Sequence, residues 1–298
     1  MESITDQTSK SSHLIVAQNS IADQLTAIYV FVDDFLKANS AIANWRRSNN
    51  QRPAFTDAEV ITIALMQGAI GCATLKKTYQ VVSSCFGDAF PNLCSYPQWI
   101  ARLHALGAIV GRLIQVAFVR GASGQKLYLI DGKPIPVCKP IRHGRVRLLR
   151  EDGAYFGKGS TGWFFGFKLH TLVHISGAIV TAVLTPGNWS EREVALALGL
   201  SVDGGVALVD LGYRSRNGEL DQILFEEADL LLINPAHGGK KTDTQRLLIS
   251  SVRERVETTF SGLWSRFVDR VFSRSWNGLW STIRLKMLHF NLCNAKII

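Results

Sequence analysis

Apolar residues recur along the first 120 positions at spacings of three and four, the mark of amphipathic helices. Ile21, Leu25, Ile28, Val32 and Phe35 predict one helix over residues 21–37, with Asp23, Asp33 and Asp34 on its solvated side. Thr56 and Glu59 form a capping box ahead of the apolar run 60–66, which predicts a second helix start. A short helix is expected over 74–85. After Pro97 one long helix is expected, with Trp99, Leu103, Leu106, Val110, Leu113 and Ala117 on one face. The polar, basic stretch 44–53 reads as a loop. Near Gly121 and Gly124 the pattern changes. Residues 126–137 and 205–209 read as buried strands, and 163–175 with 178–184 as two strands joined at Ser176-Gly177. Ser190 with Glu193 signals a helix start, and 217–228 reads as another helix before a last strand at 230–234. A glycine-rich basic loop, 235–241, precedes a segment with Val252, Val256, Phe260, Leu263 and Phe267 at helical spacing. The stretch 276–298 predicts a final helix. The expected organisation is a mostly helical domain over 1–122 and an α/β domain over 123–298.

One position breaks the pattern of the first strand. Asp131 interrupts an apolar run, and an acid is rarely buried unless it is paired or holds a metal. An ion pair or a turn cap at Asp131-Gly132 explains it equally well on this window alone. The same arrangement recurs at Asp210, which ends the run 205–209 and is followed closely by Gly212. Glu257 borders the apolar face of the segment near 251–267, and Arg253 lies one turn before it. Three oxygen donors of this kind suit a hard cation, magnesium or manganese, rather than zinc. Two such ions about 4 Å apart can stabilise both oxygens of a phosphodiester displacement.

Composition adds to this picture where it is uneven. The chain has 298 residues, 47% hydrophobic and 19% charged, a globular balance with a net charge of +9. Residues 1–120 hold 10 Lys+Arg against 8 Asp+Glu, whereas 121–298 hold 23 against 16, so the excess accompanies the three acids. A basic rim around metal-binding acids is what a polyanion site requires. Lys133, Lys139, Arg142, Arg145, Arg147 and Arg150 occur with no acid between them, a run suited to a DNA backbone or to an exposed loop. Five cysteines, odd in number and without Cys-x-x-Cys spacing, argue against a disulfide framework or a zinc site. No basic region precedes a long apolar core, so a cytoplasmic protein without a membrane span is expected. His170 and His174, four apart, share one face of a strand; binding of a metal or DNA is open to them, but they read more readily as ordinary surface or packed residues.

Asp131, Asp210 and Glu257, with Arg253 four positions before the glutamate, resemble the DDE triad of bacterial insertion-sequence transposases. The wording at 55–65, 156–170, 184–188 and 210–213 further resembles the short transposases of the group named after insertion sequence 982. The resemblance runs from about Phe55 to the C-terminus. It implies a ribonuclease-H-like catalytic core, a mixed sheet flanked by helices, preceded by the helical N-terminal domain. It implies an enzyme that uses two divalent ions, Mg2+ or Mn2+, to cut its element's terminal inverted repeats and join the 3' hydroxyl to target DNA. A homo-oligomer on DNA and a bacterial, nucleoid-associated setting follow from the same resemblance. Asp131 would be the ligand shared by both ions, with Asp210 and Glu257 each completing one. Arg253 would hold a phosphate oxygen, and Lys133, Arg142, Arg145, Arg147, Lys168 and Arg266 would join it on DNA.

The sequence departs from the wider family pattern at two positions, with Ser250 in place of a tyrosine and Trp264 in place of a lysine, for which Arg266 is the candidate substitute. Only 46 residues separate Asp210 from Glu257, which excludes the inserted β domain of some related enzymes. Arg46, Arg47, Arg52, Lys76 and Lys77 fit a helix-turn-helix-like end-binding unit and, equally, a helical scaffold or dimerisation module. Two other functions stay open: a metal-dependent nuclease on the same core, and a transposase relic that only binds DNA.

Overall fold

The computed structural model describes residues 20–43, 53–122, 124–159, 162–215, 217–234, 242–266, 268 and 270–298. The expectations for Arg46, Arg47, Arg52, the loop 235–241 and Phe267 lie outside these, as do the side chains of Val252 and Val256. Helices α1 (Ile21–Ala38), α2 (Ser40–Ala43), α3 (Asp57–Ile70), α4 (Leu75–Cys85), α5 (Tyr96–Ala105) and α6 (Gly107–Gly121) come first. The mixed part follows as β1 (Leu127–Cys138), β2 (Tyr155–Gly159), β3 (Gly162–His174), β4 (Ile179–Pro186), α7 (Glu191–Gly199), β5 (Gly205–Val209), α8 (Glu219–Ala228) and β6 (Leu230–Ile233). Helices α9 (Asp243–Trp264) and α10 (Trp276–Asn294) close the chain.

Local chemistry explains most boundaries. The capping box at Thr56 and Glu59 forms as expected, and α3 stops at Gly71, whose φ of 72° a side chain would resist. Nearly all of α3 is buried, so it is the central helix of the N-terminal part. The long helix expected after Pro97 is instead two, α5 and α6, bent by 63°. The break falls at Leu106 and Gly107, where glycine weakens the helix, yet Leu106 stays fully buried and the apolar face is kept. Ser190 does precede α7, but its side chain makes no capping bond. Strand β2 was not expected, because Gly157, Lys158 and Gly159 lack strand-like alternation.

The sheet order is β2-β3-β1-β5-β6, with β4 also paired to β3. Residues 162–166 of β3 pair with β2 and residues 167–173 with β4, so those two strands share one edge while β1 takes the other. Pairing of β1 with β3, and of β3 with β2 and β4, is antiparallel; β1 with β5 and β5 with β6 are parallel. This curled mixed sheet is covered on both faces, because alternate residues of β1 go opposite ways. Leu129 and Ile135 join a core shared with α3, α6, α9 and α10, while Tyr128 and Ile130 join one shared with α7 and α8. The N-terminal helices and one sheet face therefore belong to one apolar cluster. Among the described residues no single helix is long and apolar enough to cross a membrane.

A buried amide joins three of these layers. Asn291 of α10, fully buried, accepts the Ile179 N–H at 2.9 Å and donates to the carbonyls of Ile179 (2.8 Å) and Ile114 (3.4 Å). It thereby bonds α10 to β4 and α6. Asn291→Leu keeps the volume but strands these backbone groups, and we expect a loss of about 2–4 kcal/mol in unfolding free energy. Urea denaturation measures it; a loss below about 0.5 kcal/mol would mean that the freed groups find other partners.

Candidate active site

The parallel ladder of β1 and β5 pairs Tyr128 with Ala207, Leu129 with Leu208 and Ile130 with Val209. The next residue of each strand is an aspartate, so the ladder delivers Asp131 and Asp210 side by side. At Asp131 the chain does not turn; β1 continues to Cys138. Strand β5 does end, and Asp210 leads into a short 3-10 turn over Leu211–Tyr213. Asn234, buried beyond β6, donates to the Val209 carbonyl at 3.0 Å and so holds the strand end just before Asp210.

These two acids open into a cleft of about 370 Å3 that is also lined by Lys133, Lys158, Lys168, Glu191, Tyr213, Arg253 and Glu257. Helix α9 brings Arg253 and Glu257 to it, and the Lys133 ammonium lies 5.4 Å from the Phe260 ring centroid one turn beyond Glu257. Three acids of the cleft have basic neighbours. Asp131 lies 3.6 Å from Lys133, Asp210 lies 3.5 Å from Arg253, and Glu191 is ion-paired with Lys168. Asp131 is 28% exposed and Asp210 71%, and their electrostatics differ accordingly. Burial raises the Asp131 carboxyl above its ordinary value of 3.8, against the pull of Lys133 and the Gly132 N–H, and Asp210 adds to the rise.

Beneath the aspartates lies a buried polar string that sequence patterning did not single out. The Tyr213 hydroxyl is 2.7 Å from His170 Nδ1, and His170 Nε2 is 2.9 Å from Thr185 Oγ1. Burial lowers His170 to about 3 and drives the Tyr213 phenol far up, so both stay neutral at any working pH. Two glycines permit the close packing. A Cβ at Gly132 would lie 2.5 Å from the Tyr213 hydroxyl, and one at Gly212 would collide with the Glu191 carboxylate. Lys158, Glu191, Tyr213 and Asn234 are thus site residues that sequence reasoning missed. Tyr213 and His170 stood inside motifs already noted, but their partners lie 43 positions apart. His174 is likewise packed, bonded to Ser176 and to the Gln125 carbonyl.

The remaining basic candidates are not in the cleft lining. Arg142, Arg145 and Arg147 are exposed on the segment after β1. Arg266 is taken up elsewhere: it donates to the Gly262 carbonyl at 2.7 Å and to His289 at 3.2 Å, and its guanidinium lies 5.4 Å from the Phe290 ring centroid. That geometry anchors α9 to α10.

Residues 121–263 match the family model described as Transposase DDE domain. The matched stretch contains all three triad candidates, and it supports a DDE transposase. Transposases act on DNA, and DDE domains typically use divalent metals. No curated protein and no solved structure matches the chain.

Among the described residues, no three His, Cys, Asp or Glu side chains are gathered closely enough to hold a metal ion. The donor chemistry of the cleft nonetheless fits a hard divalent cation, since Asp131 and Asp210 are neighbouring carboxylates and a cation would relieve the opposed charge of Asp131. A raised folded-state pKa means that ionised Asp131 disfavours the fold: the penalty is absent below 3.8 and grows as pH rises through the folded value. Without divalent metal, Asp131→Asn should therefore melt higher than the wild type at pH 7, and the gap should close as pH falls toward 3.8. Thermal melts from acid to neutral pH check this. A variant that melts lower at pH 7 would contradict the assignment of burial as the dominant cause.

Proposed function

We propose that the chain is a DNA transposase of the insertion sequence 982 group, built on a ribonuclease-H-like core, that cuts the ends of its own element and joins the exposed 3' hydroxyl to target DNA. The observation that carries the reading is the ladder that ends in Asp131 and Asp210 side by side, in one cleft with Glu257. The strand order, four strands in antiparallel pairing followed by two parallel to the first, agrees with that core. Divalent cations, magnesium or manganese, held by Asp131, Asp210 and Glu257 would supply the positive charge that the attacking and leaving oxygens of a phosphodiester displacement need.

The chain's own cations complete the site. Arg253 carries a forked guanidinium suited to a phosphate oxygen, and it sits beside Asp210, where the scissile phosphate must approach. Lys133 and Lys168 offset carboxylate charge within the cleft, which lets a polyanion enter it. Arg142, Arg145 and Arg147 extend the basic surface onto the DNA backbone, the helices before residue 123 take part in end binding, and both ends are brought together by a homo-oligomer.

Asp131→Asn, Asp210→Asn and Glu257→Gln keep shape but remove charge, so each should abolish cleavage of element-end DNA in Mg2+ while gel-shift affinity changes by no more than about twofold. Sequencing of the products distinguishes outcomes. Joined 3' ends support transposition, cut but never joined ends indicate a nuclease, and binding without cutting indicates a relic.

The basic surface makes a separate prediction. Each phosphate contact adds about 0.9 to the slope of log affinity against log salt. Arg142, Arg145 and Arg147 changed together to alanine should weaken binding to all duplexes alike and flatten the slope by about two to three units. A loss confined to element ends would mean base reading instead, and an unchanged slope would make the run a solvated loop.

A further inference from the structure

Three almost wholly buried polar side chains lie under the proposed catalytic acids. Tyr213 is 2% exposed, His170 0% and Thr185 6%. They come from three elements: the turn after β5, strand β3 and strand β4. Tyr213 is tied to Asp210 through its backbone, whose N–H donates to the Asp210 carbonyl at 3.1 Å. Its hydroxyl is tied to His170, and His170 to Thr185. A neutral imidazole donates from one nitrogen and accepts at the other, so both bonds are satisfied together and the ring is held at both ends.

The string also touches the other aspartate's strand. Gly132 follows Asp131, and a Cβ there would lie 2.5 Å from the Tyr213 hydroxyl and 2.9 Å from His170 Nδ1. The β1 backbone at Gly132 therefore rests on the phenol and imidazole without an intervening side chain. His170 is also the ladder partner of Gly132 across β1 and β3. The distance between the Asp131 backbone and the Asp210 turn is thus spanned by one rigid, fully bonded unit. Apolar residues of similar size could fill the same space, but they would not fix it, because they have no directional bonds.

We propose that Tyr213 and His170 are positioning residues, which set the spacing of Asp131 and Asp210 and through it the grip of that pair on a divalent cation. The inference rests on the transposase reading and deepens it. Side chains that orient metal-binding groups without touching the metal alter affinity by about 10–100-fold when removed.

Tyr213→Phe deletes one oxygen and keeps the ring. With the full-length chain and Mn2+ alone, titration calorimetry should show affinity weaker by about 10–100-fold. The melting temperature in chelator and the gel-shift affinity for an element-end duplex should stay near wild type. The Mn2+ concentration for half-maximal cleavage should rise by the same factor, with most of the maximal rate recovered at saturation. Thr185→Val, which removes the far partner of His170, should shift Mn2+ affinity in the same direction by less.

Other results would overturn the proposal. Unchanged Mn2+ affinity in Tyr213→Phe, while Asp131→Asn abolishes binding, would remove the hydroxyl from any positioning role and leave the transposase reading intact. A loss of Mn2+ affinity matched by a falling melting temperature and weaker DNA binding would make Tyr213 a packing residue only. If the wild type bound no Mn2+ and Asp131→Asn changed nothing, the metal-site reading would fall together with this one.

Discussion

The parallel pairing of β1 with β5 is the constraint from which the cleft follows. Its last paired residues are Ile130 and Val209, so the two following aspartates emerge at one level of the sheet. A slip of one residue would reverse which face each side chain occupies. Register is held firmly because the faces have different partners: Leu129 packs toward α10, whereas Tyr128 and Ile130 pack toward α7 and α8. The hydrophobic core thus specifies the placement of two charged groups that it does not itself contain.

The third acid reaches the cleft by another route. Glu257 lies on α9, whose Phe260 and Leu263 are buried in the large core that α10 shares. Arg266 ties the end of α9 to α10 through Gly262 and His289, and Asn291 ties α10 to the sheet. A chain of packing and hydrogen bonds therefore links the C-terminal helix to the helix that carries Glu257. The N-terminal helices complete the same cluster, which gives them a share in the placement of the site.

Three of the cleft's carboxylates stand in opposed pairs with basic neighbours. Lys133, Lys168 and Arg253 each stand next to one acid. The most exposed of these pairs, Arg253 with Asp210, contributes little to stability. The consequence of the three pairs is electrostatic: a cleft with both signs present can admit either a cation or a phosphate group without a large field opposing it. Glu191 shows how closely this is built, since its carboxylate packs against Gly212 in the turn that follows Asp210.

Periodicity in the chain was enough to predict the helices α1, α3 and α4 and the strands β1 and β3 to β6, and to single out the three acids, because each reading depends on near neighbours and on burial of one face. The resemblance carried by separated motifs supplied the transposase expectation, and the family match over 121–263 agrees with it. Four features needed the tertiary structure. The bend between α5 and α6 depends on how Leu106 is buried, and β2 exists only because β3 offers an edge to residues poor in strand propensity. The string of Tyr213, His170 and Thr185 joins residues up to 43 positions apart, and Arg266 turned inward to α10 although its charge suggested DNA. Hydrogen-bond partners distant in the chain have no periodic signature, so only the folded backbone decides which polar groups meet.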